Sequence, residues 1–212
     1  MLLLDINGLF CRKVLPPYPE GPIAGGLETL QLSAYRVEIR TREFLAACYD
    51  QYTIAFFSST TEYNGSVIVE ALLTPKQKAA TAFFWYRDRT RLDPDFGKDD
   101  RVEWHSTIKI LDDVFANPQV NCKRLYGPHN TVLCDDSAFK TRFNNPYNIV
   151  VAESFGGLVD DSGLGPILDK IEDRFIMLSL CGQTCDRFRE LAIYPSPKRA
   201  GDINPSGAKI IV

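Results

Sequence analysis

Three leucines running into an aspartate, Leu2-Leu3-Leu4-Asp5, with Ile6-Asn7-Gly8-Leu9 behind them, constrain the fold of this chain more than any other stretch. An unbroken apolar run followed by polar residues and a glycine reads as a short buried strand that ends in a loop. In open α/β sheets, ligands gather at the carboxyl ends of strands, which is where Asp5 stands. A carboxylate there can act as a nucleophile. On local grounds alone it equally starts an Asx turn.

The rest of the chain repeats that pattern. Cys11 to Gly26 is rich in proline and glycine and reads as a long loop. Tyr35 to Arg40 alternates and fits either a strand or the approach to a helix. Thr41 is a plausible helix cap for the apolar stripe Phe44, Leu45, Cys48, Tyr49. A second apolar run, Tyr52 to Phe57, ends in Ser58-Ser59-Thr60-Thr61, which can cap a helix from Glu62 to Leu73. The same hydroxyls and amides also suit an anion lying above a sheet. Pro75 to Ala80 reads as a further helical turn. Ala82 to Arg87 is strand-like, and with the charged stretch as far as Trp104 it is expected to form a small β insertion, about 82–104. Ser106 or Thr107 is expected to open a helix carrying Lys109, Leu111 and Val114. Asn130 to Cys134 is a third apolar run that meets acids, Asp135-Asp136. Two adjacent carboxylates repel, and a bound cation relieves that repulsion. Mg²⁺ suits an all-oxygen site that a phosphate can complete. Asn148 to Val151 is the expected last core strand. From Leu164 to Leu191 the pattern is helical, with Ile167, Leu168, Ile171, Phe175 and Ile176 as its apolar face, and a loop-like tail follows from Pro195.

Composition narrows the function classes. With 212 residues, 45% of them hydrophobic, the chain can bury one substantial core, and 24 basic against 27 acidic residues give no electrostatic case for nucleic acid or an anionic membrane. No stretch approaches a membrane span, and no signal peptide is expected ahead of a core strand that would begin at Met1. The six cysteines are scattered; Cys181 and Cys185 are too oddly spaced for a zinc pair, and His105 and His129 are the only histidines. Reduced thiols and an intracellular, soluble protein, nuclear or cytoplasmic, are the expectation.

Strands alternating with helices imply a mainly parallel, Rossmann-like α/β sheet flanked by helices, with the small β insertion between its second and third motifs. A single domain over 1–195 and a tail over 196–212 are expected. Asp5, Ser58, Lys109 and Asp135-Asp136 follow one another in an order that resembles the haloacid-dehalogenase superfamily. Within it the chain looks most like the RNA polymerase II carboxy-terminal-domain phosphatases, the NLI-interacting factor-like group. Asp5-Ile6-Asn7-Gly8-Leu9 stands where that family has its DxD motif, Phe57-Ser58-Ser59 where it has its hydroxyl motif, Lys109 where it has its lysine, and Asp135-Asp136-Ser137 where it has its acidic motif. Arg87 falls where an arginine helps hold the phosphorylated peptide, and Ser59 is expected to bind substrate with it.

The resemblance implies a Mg²⁺-dependent protein phosphatase for phosphoserine or phosphothreonine, with the polymerase tail among its candidate substrates. Asp5 would attack phosphorus and form an aspartyl-phosphate, while Ser58 and Lys109 hold the phosphoryl oxygens. The metal would sit on Asp5, the backbone carbonyl of Asn7 and Asp136, with Asp135 nearby. Asn7 departs from the family. An acid is expected there to protonate the leaving oxygen, and an amide cannot, which typically lowers the rate about 10²–10⁴-fold. The alternative is therefore a catalytically weakened phosphopeptide- or presequence-binding module of the same fold.

Overall fold

The computed structural model describes residues 1–17, 28–32, 36–39, 43–96, 106–155 and 164–182. The expected Thr41 cap, much of the charged stretch before Trp104, Cys185, the end of the last helical pattern and the tail lie outside them.

The centre is a five-stranded sheet. In chain order its strands are β1 (Leu2–Leu4), β5 (Ile54–Phe57), β6 (Phe84–Trp85), β9 (Val132–Asp135) and β10 (Ile149–Val151), arranged β10-β9-β1-β5-β6 with every pairing parallel. The three leucines of β1 are fully buried because β1 is the middle strand and both its faces are covered. Alternation along each strand sorts the core into two layers. Leu2, Leu4, Ile54, Phe56, Val132 and Cys134 face one way and pack with residues of α1 (Glu43–Gln51), α2 (Glu62–Leu72) and α6 (Leu164–Gly182). Leu3, Ala55, Phe57 and Leu133 face the other way, against Leu111 and Val114 of α4 (Leu111–Ala116). Full burial of each leucine, isoleucine, valine or phenylalanine among them stabilises the fold by about 1.5–3 kcal/mol.

The α/β fold is the expected one, and local differences have physical reasons. Cys11–Val14 is not loop but strand β2, paired antiparallel with β4 (Arg36–Ile39), which also pairs with β3 (Glu28–Gln31). The prolines and glycines that suggested a loop begin only beyond Val14. Phe84–Trp85 joins the edge of the main sheet instead of the insertion: Phe84 stacks on Phe56 at 5.6 Å and Trp85 meets Phe57 edge-on at 5.4 Å. The insertion's strand pairing is between β7 (Arg91–Leu92) and β8 (Thr107–Ile108). Lys109 consequently lies between β8 and α4 and not on a helix; the β-branched pair Thr107-Ile108 favours the strand. On α6, Ile176 is 50% exposed, and Leu178 takes its place in the core beside Ile167 and Ile171. Helix α3 (Pro75–Ala80) begins with a reciprocal cap between Thr74 and Gln77 and has proline in its first turn. Among the described residues no helix is long and apolar enough to cross a membrane.

Candidate active site

Register brings the site together. Leu4 of β1 pairs with Phe56 of β5 on one side and Cys134 of β9 on the other, so the three strands end level. The next residues, Asp5, Phe57-Ser58 and Asp135-Asp136, are therefore delivered to one end of the sheet. Asp5, Ser58 and Asp135 are all fully buried.

Lys109 enters from the side. Its backbone N–H donates to the Lys140 carbonyl at 2.9 Å, and its own carbonyl accepts from Asn144 Nδ2 at 2.7 Å. Asn144 also accepts from the Leu111 N–H at 2.7 Å and so fixes the start of α4. Held in this way, the fully buried ammonium lies 2.9 Å from Asp5 Oδ1 and 2.5 Å from Asp135 Oδ2. Burial by itself would lower the lysine's pKa, but Asp5 and Asp135 outweigh it and raise the value, so Lys109 is charged. Burial pushes the Asp5 carboxyl up, as does Asp135, against the opposing pull of Lys109.

The oxygens are unequally satisfied. Asp5 Oδ1 also accepts from the Ile6 N–H at 2.8 Å, whereas Asp5 Oδ2 is buried without a hydrogen-bond partner. Both Asp135 oxygens are engaged, Oδ2 by Lys109 and Oδ1 by the Ser137 N–H at 2.8 Å. Asp136 Oδ2 accepts from Ser154 Oγ at 2.8 Å. A buried carboxylate oxygen with no partner carries a desolvation penalty of a few kcal/mol. Oxygens of Asp5, Asp135 and Asp136 lie within 4.8 Å of one another. Three carboxylates facing one ammonium leave the cluster negative, and the donors are hard oxygens, so the residues fit a divalent cation such as Mg²⁺. Gly8 keeps the space open. Its φ is +80°, and a Cβ there would collide with the Asp136 carboxylate.

Ser58 Oγ accepts from the Thr60 N–H at 3.3 Å, which turns the hydroxyl loop. Ser59 Oγ is buried and unpartnered. Arg87 donates from Nε to the Ser59 carbonyl at 2.8 Å and from its backbone N–H to the Thr60 carbonyl at 2.8 Å, so Arg87 and Ser59, named together from sequence, meet at this loop. The Asn7 side chain turns instead to Cys11, whose Sγ lies 3.2 Å from Asn7 Oδ1.

Three contributors were missed from sequence. Asn144 carries no signal beyond its place before an Asn-Pro turn. Cys11 sat in what read as a loop. Ser154 could have been found by extending to β10 the strand-end reasoning applied to the other strands.

With this geometry in place, a comparison with known families is decisive. The model of the NLI interacting factor-like phosphatases matches residues 2–177. The chain belongs to that family. Solved structures agree on the fold of this family member. The fission yeast RNA polymerase II CTD phosphatase Fcp1 bound to beryllium fluoride superimposes with a TM-score of 0.51 at 11% identity, covering 90% of this chain and 56% of that one. A structure of Fcp1, described as an essential RNA polymerase II CTD phosphatase, gives a TM-score of 0.51 at 11% identity, covering 94% and 55%. The chain thus spans about half the length of the structures it matches. No curated protein matches it.

Proposed function

We propose that this family member is a Mg²⁺-dependent phosphatase for phosphoserine or phosphothreonine in an extended peptide, working through a phosphorylated Asp5. The observation that carries the proposal is the buried, unpartnered Asp5 Oδ2 beside a charged Lys109, a nucleophile left unsatisfied where the fold could have paired it. Asp5 attacks phosphorus through a carboxylate oxygen as the bond to the leaving oxygen breaks and its electron pair departs with that oxygen. Lys109 and the Ser58 hydroxyl face the phosphoryl oxygens and stabilise the charge that spreads over them. Water then displaces Asp5 from phosphorus, the carboxylate is restored, and phosphate leaves.

Asp5, Asp136 and the backbone carbonyl of Asn7 are the groups that would hold Mg²⁺, whose charge offsets the approach of an anionic ester to an anionic nucleophile. Asp135, with both oxygens engaged, is assigned to anchoring Lys109. Arg87 and Ser59, at the rim of the hydroxyl loop, are assigned to the peptide. The polymerase tail is one candidate substrate, by analogy with what the solved neighbours act on.

Asn7 favours a second reading, a binding module for phosphopeptides or presequences. Phosphate release from an aryl phosphate and from a phosphoserine peptide, with and without Mg²⁺, separates the two. The expected result is Mg²⁺-dependent release from the aryl ester, abolished by Asp5→Asn, with the peptide accelerated at least about 10²-fold by Asn7→Asp. No release from either ester in either form, with Mg²⁺ bound, overturns the phosphatase reading and leaves the binding module.

A further inference from the structure

The substitution that most weakens the reading of this chain as an enzyme has a partner of its own. Cys11 opens β2, and its place is set by pairing with Ile39 of β4. The loop after β1 closes back onto it: the Gly8 N–H donates to the Cys11 carbonyl at 2.7 Å, and Asn7 and Cys11 form an isolated bridge. The Cys11 side chain is fully buried, so its thiol is shut off from bulk solvent. What it faces are two acceptors, Asn7 Oδ1 at 3.2 Å and the Ile6 carbonyl at 3.6 Å. An ordinary cysteine thiol carries its proton at neutral pH, and at these distances it acts as a donor.

A thiol that donates selects the oxygen end of a carboxamide. The two ends of that group point apart, so holding Oδ1 at Cys11 fixes the direction in which Nδ2 points. Asn7 is only half-buried, and its Nδ2 makes no hydrogen bond with any described residue. Two residues back lies the buried oxygen of Asp5 that has no partner. An amide N–H cannot hand over a proton, but it can hydrogen-bond an oxygen on which negative charge is building, as amide donors do in oxyanion holes.

We propose that Cys11 is a positioning residue for Asn7, fixing its carboxamide oxygen so that Nδ2 is presented to the leaving oxygen of a phosphoester attacked by Asp5. The proposal rests on the phosphatase reading above. As the phosphorus–oxygen bond breaks, its electron pair stays on the leaving oxygen, Nδ2–H stabilises that oxygen, and water supplies the proton. The site is thereby tuned to esters whose leaving oxygen needs little protonation, and Cys11 matters most when that need is greatest.

The test measures kcat and KM on a series of aryl phosphates of rising leaving-group pKa and on a phosphoserine peptide. It compares the unmodified protein with Cys11→Ala, Cys11→Ser and each of these combined with Asn7→Ala. Cys11→Ala is expected to lower kcat about tenfold on the peptide, and progressively less on better leaving groups, with KM little changed. Cys11→Ser, which keeps a donor, restores most of that loss, and in the Asn7→Ala background neither substitution has a further effect. Equal slowing of all esters, or the same loss without Asn7, overturns the proposal and leaves Cys11 a packing residue. The side-chain amide resonances of Asn7, assigned by their absence in Asn7→Ala, give a readout independent of turnover. They should shift and exchange faster in Cys11→Ala and return in Cys11→Ser. If the unmodified protein hydrolyses nothing, the phosphatase reading fails, and with it the catalytic half of this proposal. Unchanged Asn7 resonances in Cys11→Ala would refute the positioning itself.

Discussion

Lys109 and Arg142 each bind two carboxylates, and their surroundings differ. Lys109 is sealed in, a compact ammonium between Asp5 and Asp135, and one Asp5 oxygen beside it is left without a partner. Arg142 remains partly open to solvent and satisfies its neighbours more completely. Its guanidinium reaches Asp93 through two nitrogens, at 2.7 and 3.1 Å, and Asp95 at 2.9 Å, and packs over the rings of Phe139 and Phe143. Asp93 Oδ1 also accepts from the Asp95 N–H. Guanidinium suits such planar, many-pointed recognition, whereas ammonium is a point charge. The Arg142 cluster is an anchor that ties the segment after β7 to the turn after α5 (Ala138–Thr141). The Lys109 cluster keeps a charge and a lone pair available, which an anchor has no use for.

The largest effect should come from removing the buried cation. Lys109→Met leaves Asp5 and Asp135 buried without it, and urea unfolding at pH 7 should show a loss of about 3–5 kcal/mol. Adding Asp5→Asn and Asp135→Asn should recover much of that stability and none of the hydrolysis. A loss below about 1 kcal/mol for Lys109→Met would erase the distinction between the clusters.

Arg142→Gln should destabilise less, by about 1–2 kcal/mol at pH 7, and its deficit should depend on pH. Burial alone would raise the Asp93 carboxyl pKa, but the hydrogen bonds from Arg142 and the Asp95 amide hold it below its ordinary value of 3.8. A lowered carboxyl pKa contributes stability that is fully present above the ordinary value and lost as pH falls through the lowered one. The gap between Arg142→Gln and the unmodified protein should therefore be constant at neutral pH and narrow below pH 3.8. The smallest effect concerns salt. At about 1 M, where screening acts within about 3 Å, the Arg142→Gln deficit should shrink by a few tenths of a kcal/mol, while that of Lys109→Met stays unchanged.

The two clusters were not equally legible. Asp5, Ser58, Asp135 and Asp136 announce themselves because apolar strands run directly into them, and a strand end in a parallel sheet is a place with a chemical use. Lys109 was identifiable only by its place in the order of motifs. Its local pattern, with Leu111 and Val114 following at helical spacing, pointed to a helix. The pairing of Thr107-Ile108 with Arg91-Leu92 overrode that pattern, and no local signal reveals such a contact. Arg142, Asn144 and Cys11 were invisible for the same reason: each acts through a partner set by tertiary packing. Phe84-Trp85 read correctly as a strand but was placed in the insertion, because only its stacking on Phe56 and Phe57 shows which sheet it joins.

The position of β1 also bears on when the chain can first do chemistry. Its Leu2 pairs with Ile54 on one side and with Val132 on the other, and the Gly8 carbonyl is reached by the N–H of Phe155 at 2.6 Å. Pairings across such long loops form slowly, since each must close before its contacts are gained. A ribosome that has released the chain only as far as about residue 100 has made Asp5, the proposed nucleophile, but neither Lys109 nor the carboxylates of Asp135 and Asp136 that give it a setting. On the proposed mechanism, reactivity comes with the last strands to dock, and a half-made chain carries a harmless aspartate.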